Sequence, residues 1–160
     1  DVNYNKNIPG LVSACKLSRM PLVIVGRQAK EIESLDLSHP QLQHLQNLDL
    51  SNVIRLGFIS DEDLLNVYNL ASCYCMPSFA EGSALSILEA MACNTPVVCS
   101  EIECFKEHAQ DYATYFDPHD IRSMAEALKH PKIIEKYETD FSWEKTAQQT
   151  LMVYKEIYES

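Results

Sequence analysis

A doubly wound parallel α/β sheet, layered as an α/β/α sandwich, is the fold class this 160-residue sequence predicts. Three observations carry that expectation. Short β-branched or apolar runs alternate repeatedly with stretches of helical periodicity. The runs end at Gly26, Gly57 and Pro77, residues that turn a strand into a loop. Residues 21–25 (PLVIV) are continuously apolar, as a parallel strand covered by helices on both faces would be.

Taken in order, Asn7-Ile8-Pro9 opens the first helix, with Asn as N-cap and Pro tolerated in the first turn. Ile8, Leu11, Val12 and Cys15 give it one apolar face. The strand at 21–25 follows and closes at Gly26. Residues 27–52 are polar and weakly patterned, with Leu42, Leu45 and Leu48 predicting one short helix. Val53–Leu56 reads as a strand closed by Gly57. Ser60 to Asp63 reads as a capping box with an acidic first turn. The helix behind it has a core stripe of Leu64, Leu65, Tyr68 and Ala71. A strand at 73–76 stops at Pro77.

Residues 77–98 (PSFAEGSALSILEAMACNTPVV) then run as loop, helix and strand, broken at Asn94-Thr95-Pro96. A helix is expected at 102–109 and a strand at Ala113–Phe116. Asp117-Pro118 is expected to cap a further helix, striped by Ile121, Met124, Ala125 and Leu128 and ended by Pro131. The last helix, at 142–158, carries the stripe Trp143, Ala147, Leu151, Tyr154 and Tyr158. That stripe is either core or a face laid across a neighbouring domain.

Composition narrows the function classes. The chain has room for one domain with a sizeable core, at 46% apolar and 22% charged residues. No apolar run is long enough to span a bilayer, and no secretory leader pattern is visible. The chain opens at Asp1 rather than at a methionine, as expected of a piece of something longer. A net charge of −10 repels phosphate backbones and anionic lipid, which argues against nucleic acid and direct membrane contact. The six cysteines form no CxxC pair and sit mostly in apolar runs, so they are expected to be buried, reduced thiols of a cytoplasmic protein. His39, His44, His108, His119 and His130 are scattered and read as surface or cap residues.

The chemistry concentrates in residues 77–98. Glu89 lies on a nearly apolar helix with Leu85, Ser86, Ala92 and Cys93 as its helical neighbours, none of them basic. A carboxylate there needs donors: a distant Lys or Arg, water at an edge, or the adjacent hydroxyls of a ribose. Glu81 precedes the helix, whose first backbone N–H groups, at Ser83, Ala84 and Leu85, form an anion site fit for phosphate. A fully helical path would separate the two carboxylates by about 12 Å. That is more than the roughly 5–9.5 Å a glycosidase pair needs. No GxGxxG or GxxxxGK[ST] motif is present.

The segment EGSALSILEAMACNTPVV resembles the E-x7-E region of family 4 retaining glycosyltransferases, which have the GT-B fold. The likeness extends over Lys6-Asn7-Ile8-Pro9-Gly10-Leu11, the strand before Gly26, residues 53–59 and 64–71, Pro77-Ser78, Asp117-Pro118 and Phe141-Ser142-Trp143. It implies that residues 1–160 are the Rossmann-like C-terminal half of a GT-B fold, without its first strand. An absent N-terminal domain would hold the acceptor and any membrane docking.

By that resemblance Glu81 approaches the donor sugar, Glu89 binds the ribose and Lys6 binds phosphate. Gly82 and the backbone of Ser83, Ala84 and Leu85 would meet diphosphate and sugar. Phe58 and Ile59 would flank the base, with Arg27 on the same rim. The implied reaction is transfer of a sugar from a UDP- or GDP-linked donor to a glycan or lipid-linked acceptor, with retained configuration. It would proceed by front-face displacement, with the leaving diphosphate stabilised by Lys6 and the helix amides. No cofactor and no metal are expected. Bacterial surface polysaccharide synthesis in the cytoplasm is the expected setting.

Three positions depart from the family pattern. Asp1 stands where an arginine is frequent, which removes a phosphate partner or shifts the alignment. Glu81-Gly82-Ser83-Ala84 replaces EGFG, losing a tight glycine contact. Asn94 replaces a helix-ending Gly, with little expected consequence. A sugar-nucleotide epimerase-like protein would need catalytic residues not found here. A noncatalytic α/β nucleotide-binding or receiver module is the remaining alternative, and a receiver would need acidic residues clustered at strand ends.

Overall fold

The computed structural model describes residues 2–134, 136–137 and 142–159. Asp1 and Phe141, which the resemblance used, lie outside the described residues. Among the described residues, five short strands, all parallel, form two ladders. β1 (Leu22–Val25) pairs with β2 (Val53–Leu56), Leu22 opposite Val53. β3 (Tyr74–Met76), β4 (Val97–Ser100) and β5 (Ala113–Phe116) form the other, with β4 central. Helices α1 (Ile8–Ser18), α2 (Arg27–Lys30), α3 (Asp61–Leu70), α4 (Leu85–Ala92), α5 (Glu103–Ala109), α6 (Ile121–Lys129) and α7 (Trp143–Glu159) alternate with them. The architecture is the expected Rossmann-like α/β layering.

The strand period of two divides the core. Val97 and Cys99 of β4 pack with Tyr68, Ile87, Met91 and Phe105 on the α3–α4–α5 side. Val98 packs with Leu11, Ala14, Met124 and Leu128 on the α1–α6 side. β4 is therefore covered on both faces, and all four of its residues are buried. The same cover was expected of β1, but Val23 is 43% exposed there. Only the β1–β2 face that packs near Ile8, Val12, Ala29, Ile32 and Leu45 is closed.

Several local expectations are corrected. Asn7 adopts the left-handed conformation (φ 48°) and does not cap α1 with its side chain. Its Nδ2 instead donates to the carbonyl of Pro118 at 2.9 Å, across the fold. Leu42, Leu45 and Leu48 belong to no helix beyond a single 3-10 turn at Gln43–Leu45; they act as pegs on a small core that holds the loop. Leu65 is half exposed because the α3 stripe is narrow, with Leu64 and Tyr68 inward. The α6 cap is Asp120, whose carboxylate accepts from the amides of Arg122 and Ser123. Asp117 closes the turn before it by accepting from the His119 amide, so Ile121, the first helical residue, stays largely exposed.

His44 is not a surface residue in its ring: both nitrogens are buried, and burial holds its pKa below the usual value. The six thiols are free, and burial pushes Cys15 up to about 11 and Cys99 to about 12. α7 buries none of its residues, so its stripe is not core: Trp143 is 81% and Tyr158 92% exposed. No helix among the described residues is long and apolar enough to cross a membrane.

Candidate functional site

Open parallel α/β sheets present ligands with the carboxyl ends of their strands. At that rim the 3-10 turn Tyr4–Lys6 is fastened to the loop leaving β3. The Phe79 amide donates to the Asn5 carbonyl at 2.8 Å. The Asn5 side chain donates to the Ala80 carbonyl (3.2 Å) and, at 3.5 Å, to Glu81 Oε1. The Tyr4 ring stacks on Phe79, and Phe79 stacks on His119 of the β5–α6 loop. Residues far apart in sequence thus share one hydrogen-bonded and stacked corner.

Lys6 and Glu81 meet in that corner. Lys6 Nζ donates to Glu81 Oε1 at 2.7 Å, with side-chain exposures of 27% and 13%. The pair is sheltered but reachable. A sheltered ion pair costs desolvation of both partners. Here that cost is partly offset by the Asn5 contact and by residual access to water.

α4 starts beside the pair. Its N-cap, Ala84, provides no side-chain cap. The amides of Ser83, Ala84 and Leu85 donate to no protein acceptor among the described residues. Gly82 is open, and a Cβ built there would meet no heavy atom within 4 Å. Ala84 stands where the family pattern has a glycine, yet its methyl is 1% exposed and packs in the core with Ile87 and Met91. The Ala84 side chain is thus part of the core cluster rather than left in solvent. Asn94 ends the segment in the left-handed conformation (φ 55°), as expected, and its Oδ1 accepts from the Tyr137 amide.

Glu89 takes the solvent-facing option among those the sequence left open: it is exposed on α4. It also has a protein donor that is neither Lys nor Arg: the Tyr68 hydroxyl donates to Glu89 Oε2 at 3.0 Å.

Arg27, Phe58 and Ile59 sit at the ends of β1 and β2, brought to one rim as the Gly26 amide extends the ladder to the Leu56 carbonyl. Phe58 is 83% exposed, and the Arg27 side chain pairs with nothing among the described residues. These three make no hydrogen bond or ion pair with Lys6, Glu81 or Glu89. The structure thus assembles one compact group from Lys6, Glu81 and the α4 amides, a second from Glu89 and Tyr68, and an open flank at Arg27 and Phe58. Sequence reasoning missed Asn5, which carries no motif, and Tyr68, which it placed in the core. A phenol within a core stripe, with a carboxylate lacking a local basic partner on the next helix, was the signal available. No cluster of three or more His, Cys, Asp or Glu fit for a metal ion occurs among the described residues.

The profile of glycosyl transferases group 1 matches residues 1–150. The chain belongs to that family. It is 32% identical over 173 aligned positions to the O-antigen chain mannosyltransferase B of Escherichia coli, covering 94% of this chain and 42% of that protein. It is 27% identical to the serotype-specific mannosyltransferase WbdA of Escherichia coli, covering 99% of this chain and 21% of that one. Among solved structures, the sucrose-phosphate synthase of Thermosynechococcus elongatus superposes with a TM-score of 0.63 at 22% identity, over 99% of this chain and 44% of that one. Anabaena HepE, solved in complex with UDP, gives a TM-score of 0.57 at 23% identity, over 80% and 36%. These neighbours show the fold: this group 1 glycosyl transferase chain has the Rossmann-like architecture of a GT-B C-terminal domain. It spans less than half the length of these relatives.

Proposed function

We propose that this chain is the donor-binding half of a retaining glycosyltransferase. In this reading it moves a sugar from a UDP- or GDP-linked donor to a glycan or lipid-linked acceptor held by an N-terminal domain. The observation that carries the reading is the Lys6–Glu81 pair at 2.7 Å beside the uncapped α4 N-terminus. An anion placed there meets one ammonium and several free amides, in a chain whose net charge of −10 otherwise repels it. A helix N-terminus adds about 0.3–1 kcal/mol for an anion when exposed and up to about 2 when partly buried.

In this reading Lys6 moves from Glu81 to the diphosphate and stabilises the charge that grows as the glycosidic bond to phosphate breaks. Glu81, released, accepts from the sugar hydroxyls. Gly82 leaves its backbone open to the sugar, and the amides of Ser83, Ala84 and Leu85 hold phosphate oxygens. Glu89 accepts from the ribose, and Phe58, Ile59 and Arg27 flank the base. Catalysis then needs no nucleophile, metal or cofactor from this chain. The names of its relatives favour mannose as the sugar and O-antigen-type polysaccharide as the product. The bare stripe of α7 fits a face laid on the N-terminal domain, which would also carry any contact with the membrane from the cytoplasm.

Titration with UDP and with GDP, followed by backbone amide shifts, tests the reading. Shifts confined to residues 6, 81–89 and the Phe58 flank are expected with one or both. No perturbation there with either nucleotide overturns it.

A further inference from the structure

Glu89 and Tyr68 form a contact that the family's two-glutamate pattern does not contain, because Tyr68 lies on a different helix, 21 residues earlier. Tyr68 has one hydroxyl proton and two acceptors in range: Glu89 Oε2 at 3.0 Å and the Ser86 carbonyl at 3.4 Å. The carboxylate is both nearer and charged, so it takes the proton. Burial first, then neighbouring Tyr74 and Glu89 itself, raises the Tyr68 pKa well above the ordinary phenol value. Tyr68 is therefore a donor at every working pH.

The phenol is firmly held. Its residue is 7% exposed, and the Tyr74 ring meets it edge-on at 5.6 Å. Tyr74 is fixed in turn by donating to the Ser86 hydroxyl at 2.8 Å. The buried Thr95 hydroxyl donates to the Tyr68 carbonyl at 2.9 Å, pinning the end of α3 to the turn after Asn94. Glu89, by contrast, is an exposed glutamate on a helix, a side chain that ordinarily samples many rotamers. One of its oxygens is anchored to a buried phenol. The other has no protein donor among the described residues.

We infer that Tyr68 is a positioning residue for the donor site: it fixes the Glu89 carboxylate in one orientation, with Oε1 presented to a vicinal diol. The inference rests on the proposed role of Glu89 toward ribose and adds the device that preorganises it. Holding the carboxylate in place before the ligand arrives removes rotamer entropy from the cost of binding. Tyr68 touches no ligand atom in this scheme; it acts through Glu89.

The test compares nucleotides that differ only in the diol. Affinities of GDP, UDP and their 2′-deoxy counterparts are measured by calorimetry for the wild-type chain, Tyr68→Phe, Glu89→Gln and the double variant. Phe keeps the ring and its packing, and far-UV circular dichroism with a thermal melt verifies folding. Tyr68→Phe should weaken the ribonucleotide about three- to tenfold and the 2′-deoxynucleotide less than twofold, shrinking the discrimination between them. In the Glu89→Gln background the same change should cost less than twofold, because its route of action is gone.

Equal losses for ribo- and deoxynucleotides, or a full loss in the Glu89→Gln background, make Tyr68 merely structural and overturn the inference, while Glu89 keeps its role. If Tyr68→Phe fails to fold, side-chain carboxylate relaxation of Glu89 in the wild-type chain decides: a side chain held more rigidly than the other exposed glutamates is expected, and one equally mobile overturns the inference. If the wild-type chain binds no nucleoside diphosphate, or Glu89→Gln changes nothing, the donor-site reading fails and this inference fails with it.

Discussion

Replacing Gly10 by alanine sets two effects of opposite sign against each other, and the structure says which wins. Gly10 lies in the first turn of α1, where Gly→Ala in an open helix gains at most about 1 kcal/mol. A Cβ at Gly10, however, would fall 2.4 Å from Oδ1 of Asn7 and 2.8 Å from its Cγ and Nδ2. The Asn7 side chain, in a residue only 6% exposed, must leave its place and give up the hydrogen bond to the Pro118 carbonyl. Breaking a buried polar contact costs about 1–3 kcal/mol. The net expectation is a loss of about 1–2 kcal/mol, a fall of roughly 2–8 °C in Tm for a chain of this size. The decisive assay is a thermal-melt cycle with Asn7→Gly, which removes the obstructing side chain and tolerates the left-handed φ of 48°. There Gly10→Ala should become neutral or stabilising by up to about 1 kcal/mol. A stabilising Gly10→Ala in the wild-type background, or the same sign in both, would refute the clash. The site should register it too, since Asn7 follows Lys6 directly and ties it to the His119 loop.

Asn94→Ala should cost about 2–3 kcal/mol in urea unfolding, about 1–2 for an alanine at φ 55° and about 1 for the lost bond to the Tyr137 amide. Asn94→Gly should cost only the latter, and equal costs would contradict the left-handed cap. Ala84→Gly should lose about 1 kcal/mol by removing a buried methyl and loosening the backbone, while nucleotide affinity stays within about twofold. Markedly tighter binding would mean that the Ala84 methyl does obstruct the cradle. Stability should fall above pH 9. Cys15 and Cys99 keep their protons in the folded chain up to about 11 and about 12, whereas unfolded thiols lose theirs from 9.0. Their contribution is thus complete below pH 9 and lost as pH rises toward those folded values, by about 1.4 kcal/mol per pH unit for each thiol. Chemical denaturation from pH 7.5 to 10.5 measures it, and Cys99→Ala should flatten the slope.

What the sequence made legible follows from how local each signal is. α4 and β4 could be read because an apolar helix, a left-handed Asn94 and a β-branched run are all properties of neighbouring residues. Ser60 and its capping partner Asp63 lie three residues apart and were found for the same reason. The 27–52 segment resisted because its leucines have no period; they are placed one at a time on Ile8, Val12 and Ile32. Asp117 and Asp120 have the same chemistry, and only the path of the chain decides which one caps α6.

The site divides in the same way. Glu81, Glu89 and the α4 amides were visible as one local pattern. Their partners were not, because Lys6 reaches Glu81 across 75 residues and Tyr68 reaches Glu89 across 21. Tyr68 was correctly placed in the core by its helical stripe. Periodicity reports where a ring lies, but the hydroxyl at its tip is directed by a helix that comes later. α7 shows the limit from the other side: its stripe is evident in the sequence, yet nothing among the described residues buries it.

Isothermal titration of the wild-type chain, Lys6→Met and Glu89→Gln with UDP and GDP addresses the donor site most directly. The donor-site reading predicts that at least one nucleotide binds and that each substitution weakens it about fivefold or more, as expected for losing a charged partner. Thermal stability of Glu89→Gln should change little, since Glu89 is exposed. A chain that binds neither nucleotide, or a Glu89→Gln variant that melts early while binding as the wild type does, would contradict it.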